Sequence, residues 1–223
     1  MCGRYTLITS VAELEERFRF TADGIDLAPN YNVAPSQSAL TIVEADPARR
    51  VGRLMRWGLI PSWARDMSSG NRMINARSET VAEKPSFRAA LNRRRCLVPA
   101  DGFYEWQKVG RNKRPMCITL ASGEPFAFAG LWETWNTPSG GTVQSFTILT
   151  TSANETLAHI HNRMPVILRR DAEEIWLDHT VQDRELLSGL FAPYDPSETV
   201  AYEVSALVNS AANNVPEVIT PIA

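Results

Sequence analysis

RCLVPADGFYEWQKVGRNKRPMCITL, residues 95–120, decides the fold. Three apolar runs, RCLVPA (95–100), FYEWQKV (103–109) and PMCITL (115–120), are divided by an Asp-Gly pair and by the turn-forming VGRNKRP. Short runs rich in branched and aromatic residues, bounded by Gly, Pro, Asn and Asp, read as strands joined by hairpins. Outward from this stretch the pattern repeats in ALTIVEA (39–45), RLMRWGL (53–59), FAFAGLW (126–132) and QSFTILT (144–150), with NTPSGGT as a further turn. Helical periodicity is confined to 10–20, 85–93, 154–159, 171–178 and 183–191. In the first, Ser10 and Glu13 have capping-box spacing and Leu14 and Phe18 share a face. YEVSALVNSAANNVPEVITP (202–221) holds too many Asn and Pro for a long helix and reads as a strand followed by an ordered wrap. The expected fold is α+β: a single domain over 1–223, with a mainly antiparallel, barrel-like sheet core and a few peripheral helices.

The chain has 223 residues, 44% of them hydrophobic and 22% charged, enough for one sizeable core. A formal net charge of -2 excludes a generically basic nucleic-acid coat, so polyanion binding must be local. Three cysteines without CxxC spacing exclude a disulfide framework and a structural zinc site. Cys96 and Cys117 sit in strand-like runs and read as buried, inert thiols. No phosphate-loop or dinucleotide signature appears, so neither metal nor cofactor is expected. The N-terminal stretch lacks the apolar core of a signal peptide, and no run reaches transmembrane length. A soluble cytoplasmic protein, associated with the nucleoid when bound to DNA, is expected.

Cys2 stands directly behind the initiator. A frayed terminal thiol oxidises easily, so Cys2 is either tucked into the core or placed there to react. Removal of Met1, favoured by a small second residue, would leave Cys2 with a free amine beside its thiol. Four other segments combine polar reactive groups with aromatics and turns: WGLIPSW (57–63), INARSET (74–80), LVPADGFYEW (97–106) and HIHNRMP (159–165). Taken singly, each has a plain structural explanation: core tryptophans, a tight Asp-Gly turn, a solvated loop.

Together with MCGRY (1–5), YNVAPSQ (31–37), TILTTSAN (147–154) and VSALVNSAANNVPEVITP (204–221), these segments make a long ordered pattern. It resembles the SRAP (SOS-response-associated peptidase) family over nearly the whole chain. Asn162 departs from it, standing where many members carry an acidic residue. The resemblance implies a DNA-damage protein that covalently caps abasic sites in single-stranded DNA through a thiazolidine on the processed N-terminal cysteine. The chemistry is self-consistent. An α-amine titrates at roughly 7.7–8 and condenses with an aldehyde, after which the adjacent thiol closes a five-membered ring on the imine carbon.

The resemblance places Asn75, Glu105 and His161 around Cys2. His161 is assigned to sugar opening and closing, Glu105 to proton exchange with the amine and the leaving water, and Asn75 to holding the terminus or the sugar. His159 is the rival of His161, and His179 reads as a helix-end residue. Arg4, Arg77 and Arg163 are expected on phosphates and Trp63 and Trp106 on bases, with Thr150 in the same interface. Trp106 points away from Glu105 if both lie in a strand. The basic runs 93–95 and 111–114 read as solvated faces. The expected partner is single-stranded DNA containing abasic sites, bound by a monomer. Two rival readings stand beside this one: an N-terminal-cysteine peptidase that matures itself, and a non-covalent reader of modified bases.

Overall fold

A computed structural model describes residues 2–46 and 49–222. The chain runs through β1 (Tyr5–Leu7), α1 (Val11–Phe18), β2 (Phe20–Thr21), β3 (Asn30–Val33), β4 (Ser38–Asp46), β5 (Arg49–Trp57) and β6 (Asn75–Arg77). It continues through α2 (Pro85–Arg93), β7 (Arg95–Ala100), β8 (Gly102–Val109), β9 (Asn112–Leu120), β10 (Phe126–Asn136) and β11 (Thr142–Ser152). The last elements are β12 (Arg163–Pro165), β13 (Ile167–Leu168), α3 (Ala172–Leu177), α4 (Arg184–Gly189) and β14 (Thr199–Glu203). The opening stretch forms β7, β8 and β9 as read, and β8 and β9 pair as a hairpin from Gly102↔Thr119 to Val109↔Asn112.

In the larger sheet, β11, β10, β7, β4 and β5 pair in that order, and β11 pairs again with β5 at Ser145↔Arg56 and Phe146↔Trp57. These five strands therefore close on themselves as a barrel. Closure satisfies the edges that an open sheet leaves unpaired. The closing contact is parallel, as are β2–β5 and β6–β11, while the other pairings are antiparallel. The smaller sheet has the order β14-β9-β8-β1-β3.

The two sheets share one core, and β1 ties them together. Tyr5 inserts edge-on against Trp57 and Phe128, with ring centroids at 5.2 and 5.8 Å, and Trp57 stacks on Phe146. Such aromatic pairs each add about 0.5–1.5 kcal/mol beyond their burial. Asp101, in the tight turn between β7 and β8, accepts hydrogen bonds from the Ile8 and Thr9 amides. The strand behind the N-terminus is thus fixed by packing and by a carboxylate.

Helix α1 begins with the capping box, Ser10 accepting from the Glu13 amide and Glu13 from the Ser10 amide. It buries Leu14 and Phe18 and stops where Arg19 turns left-handed. Residues 154–159 are a correction: they form one turn, not a helix. The Asn154 side chain accepts from the Leu157 amide and donates to Tyr194 O and Thr199 Oγ1. The backbone bonds from Leu157 and Ala158 to Asn154 O are followed only by those from Ile160 and His161 to Leu157 O, so no continuous helical ladder forms.

A second correction concerns the run 93–95. Arg95 is 3% exposed and donates to the carbonyls of Leu91, Trp176, Asp178 and Val181, pinning α3 to the barrel. Arg94 pairs with Glu133, whereas Arg111, Lys113 and Arg114 are exposed as expected. The terminal segment is a strand followed by a wrap, with single 3₁₀ turns at Ala206–Asn209 and Pro216–Val218.

Candidate active site

The site gathers at one end of the smaller sheet. β1 pairs with β8 at Tyr5↔Phe103, and the Tyr104 amide donating to Arg4 O carries the pairing one residue towards the terminus. This lays the terminal segment alongside Glu105. Cys2 is fully buried, and Met1 lies outside the described residues. Burial pushes the Cys2 thiol pKa well up, and the nearby negative charge of Glu105 pushes it further. The thiol is therefore held protonated at neutral pH and shielded from oxidants.

Asn75 reaches Cys2 from the other sheet. It opens β6, whose register on β11 runs from Ile148↔Asn75 to Thr150↔Arg77. Its Nδ2 donates to the Cys2 carbonyl at 2.7 Å. Its Oδ1 is buried and, among the described residues, has no hydrogen-bond partner. One amide group thus fixes Cys2 and keeps an acceptor for an incoming donor.

Glu105 is 5% exposed, and Trp106 on the opposite face of β8 donates its indole N–H to Asn209 Oδ1 at 2.7 Å. Alternation along the strand separates them, as read from the sequence. Glu105 and His161 line one small pocket with Phe103, Ile118, Ile160 and Arg163. His161 follows the 154–159 turn, and its Nδ1 accepts from the Arg163 amide at 3.0 Å. A neutral imidazole so held carries its proton on Nε2. The Arg163 carbonyl lies 3.2 Å from the same Nδ1, so a protonated ring also finds a partner there. This arrangement suits a group that takes up and returns a proton. His159 is exposed on the turn, apart from this pocket lining, and His179 lies beside Glu44 at 3.4 Å.

The residues expected on DNA divide into two groups. Arg77 is exposed beside Asn75, and Trp63 is 66% exposed. Trp63 is carried by a loop that leaves the barrel at Gly58, where φ is +113° and a side chain would meet Gly70 O at 2.6 Å. Trp135 anchors the same loop by donating to Ala64 O. The other group is engaged inside the protein. Arg4 donates to Asn32 Oδ1, Val208 O and Asn209 O. Arg163 grips both carboxylate oxygens of Glu79 and donates to Thr150 O. Thr150 is fully buried, with Arg163 within 3.4 Å of its hydroxyl. Among the described residues no cluster of His, Cys, Asp and Glu could hold a metal ion.

Two residues with evident roles were missed in the sequence, although both lie inside quoted motifs. Asn32, in YNVAPSQ, is 1% exposed, accepts from Arg4, and donates to Val208 O, Ser210 O and Asn213 O. Glu79, in INARSET, is the partner of Arg163. The signal was there in each case as a polar residue within a recurring motif, but the partner is remote in sequence.

Comparison with known proteins shows the family. Residues 1–211 match the family model described as SOS response associated peptidase (SRAP). The chain is 50% identical over 223 residues to the abasic site processing protein YoqW of Bacillus subtilis (strain 168), covering 98% of this chain and 99% of that one. It is 35% identical to the abasic site processing protein HMCES of Gallus gallus, covering 87% of this chain and 66% of that one. A crystal structure of a protein from Bacteroides thetaiotaomicron superposes with a TM-score of 0.90 at 28% identity, over 100% of both chains. The chain belongs to the SOS response associated peptidase family.

Proposed function

We propose that this protein processes abasic sites in single-stranded DNA by a covalent reaction at Cys2. The observation that carries the reading is the seat of Cys2: its carbonyl is held by Asn75, and its thiol lies within the field of Glu105. A core cysteine kept only for packing needs no carboxylate beside it. The names of the relatives supply the substrate class, DNA with abasic sites.

In this reading Met1 is removed and the Cys2 amine attacks the aldehyde of the ring-opened sugar. Glu105 takes the amine protons in turn and passes them to the former aldehyde oxygen, which leaves the carbinolamine as water and gives an imine, with Glu105 again a carboxylate. The thiol then adds to the imine carbon, forming a C–S bond, and its proton ends on the ring nitrogen. His161 moves the proton that opens and recloses the sugar. Because the thiol is buried and protonated, sulfur attack depends on a base within the site, and Glu105 is the carboxylate whose charge reaches Cys2. Arg77 and Trp63 supply the exposed contacts to phosphate and base.

The test is a denaturing gel of the protein mixed with abasic or intact single-stranded DNA. A band that survives denaturation with abasic DNA alone, and disappears in Cys2→Ser, is the expected result. Retention only under native conditions would favour a non-covalent reader. Release of peptide fragments would favour a peptidase.

A further inference from the structure

Glu79 has no part in the chemistry above, yet it joins the two halves of the site. It sits on the 3₁₀ turn Ser78–Thr80, directly after the strand that carries Asn75 and Arg77. Its carboxylate is held by both terminal nitrogens of Arg163, across 84 residues of sequence. The Arg163 side chain is 14% exposed, and one of its nitrogens also donates to Thr150 O at 2.6 Å. A bidentate guanidinium–carboxylate pair fixes orientation as well as distance. The backbone of Arg163 is the part that faces His161: its amide and its carbonyl both lie within hydrogen-bond reach of Nδ1.

We infer that Glu79 is a positioning residue for His161, acting through Arg163. The carboxylate locks the guanidinium, and the locked side chain holds the Arg163 peptide groups against the imidazole. The same strut sets the separation between Asn75 on β6 and His161 before β12. In the kinetic arm this inference rests on the covalent reaction proposed above, while its structural arm is independent of that reaction.

The first measurement is therefore ¹⁵N NMR of the imidazole rings in the full chain, with His161 assigned by its loss in His161→Ala. The expected wild-type signal is an unprotonated Nδ1 and a protonated Nε2. In Glu79→Ala the His161 signals should move towards tautomer averaging, with those of His159 and His179 unchanged, and Glu79→Gln should restore part of the wild-type pattern. The second measurement is the rate of adduct formation with saturating abasic single-stranded DNA. Glu79→Ala should slow it roughly 10-fold, short of the roughly 10²–10⁴-fold that general acid–base help contributes in full because the imidazole itself is kept, and should add no further loss in a His161→Ala background. An unchanged His161 signal in folded Glu79→Ala overturns the inference whether or not the protein forms an adduct. A Glu79→Ala loss that multiplies with that of His161→Ala overturns it too, as does tighter DNA binding at an unchanged rate, which would make Glu79 a competitor of phosphate for Arg163. Absence of any adduct with the wild-type protein refutes the covalent reaction and leaves the NMR result to decide the role of Glu79.

Discussion

Replacing Asn32 by Ala tests how the site is built. The side chain is buried and spans four partners: Arg4 at 2.9 Å, Val208 O at 3.3 Å, Ser210 O at 2.9 Å and Asn213 O at 3.0 Å. The bond from the guanidinium is worth about 1.5–3 kcal/mol and each neutral bond about 0.5–1.5 kcal/mol. Arg4 keeps its bonds to Val208 O and Asn209 O, and Ser210 is exposed, so part of the loss is recovered by water. The expected cost is about 3 kcal/mol. For a chain of this size that lowers Tm by roughly 6–12 °C. Asn32→Asp keeps the acceptor for Arg4 but turns a carboxylate towards three carbonyl oxygens, so it should destabilise at least as much at neutral pH. The assay is thermal and urea unfolding of both variants, with Arg4→Ala and the double variant to complete a cycle. A coupling of about 1–3 kcal/mol between Arg4 and Asn32 is expected, since residues in one hydrogen-bond network are not additive. A Tm within 2 °C of wild type for Asn32→Ala would show that the wrap is held by apolar packing, and would refute the reasoning.

Burial and exposure set three further outcomes. Cys2, Cys96 and Cys117 are all buried, and burial raises each thiol pKa, that of Cys117 to about 11. Alkylation of the native protein by iodoacetamide at pH 8 should be at least about 100-fold slower than that of an exposed thiol, and should rise with pH; fast labelling of Cys2 would contradict its seat. Trp63→Ala should leave Tm nearly unchanged while weakening single-stranded DNA binding by about 1–3 kcal/mol, and Arg77→Ala should lower the salt slope by about 0.7. Unchanged affinity and slope in salt titrations would place the DNA elsewhere.

Local rules decided much of what was legible in the sequence. The capping box at Ser10 and Glu13, the hairpin of β8 and β9, and the alternation that turns Trp106 away from Glu105 all depend on neighbours a few residues apart. Long-range choices were not legible. The sequence pattern read 154–159 as helix because nothing local shows Asn154 bonded to Tyr194 and Thr199. Arg95 looked like one of three solvated arginines until α3 placed its backbone carbonyls there. For the site, the family pattern supplied Asn75, Glu105 and His161; in the fold Asn75 bonds the Cys2 carbonyl, and Glu105 and His161 line one pocket. Arg4 and Arg163 were expected on DNA because they lie within two residues of Cys2 and His161, and Thr150 was placed in the same interface; sequence proximity could not show that their side chains also bond within the protein.

The clasp between Arg4 and the carbonyls of Val208 and Asn209 also has a consequence in time. Its partners are separated by 204 and 205 residues, almost the full length of the chain. A ribosome releases residues in order, at roughly 5–20 per second, so the start of the chain waits some ten seconds or more for the segment that closes over it. Until then the Arg4 guanidinium has only Asn32 of its three partners. Arg4 is thus made well before the carbonyls it clasps. A chain that stops before Val208 carries a guanidinium without its carbonyl clasp, a free cation where the finished protein has a closed seam.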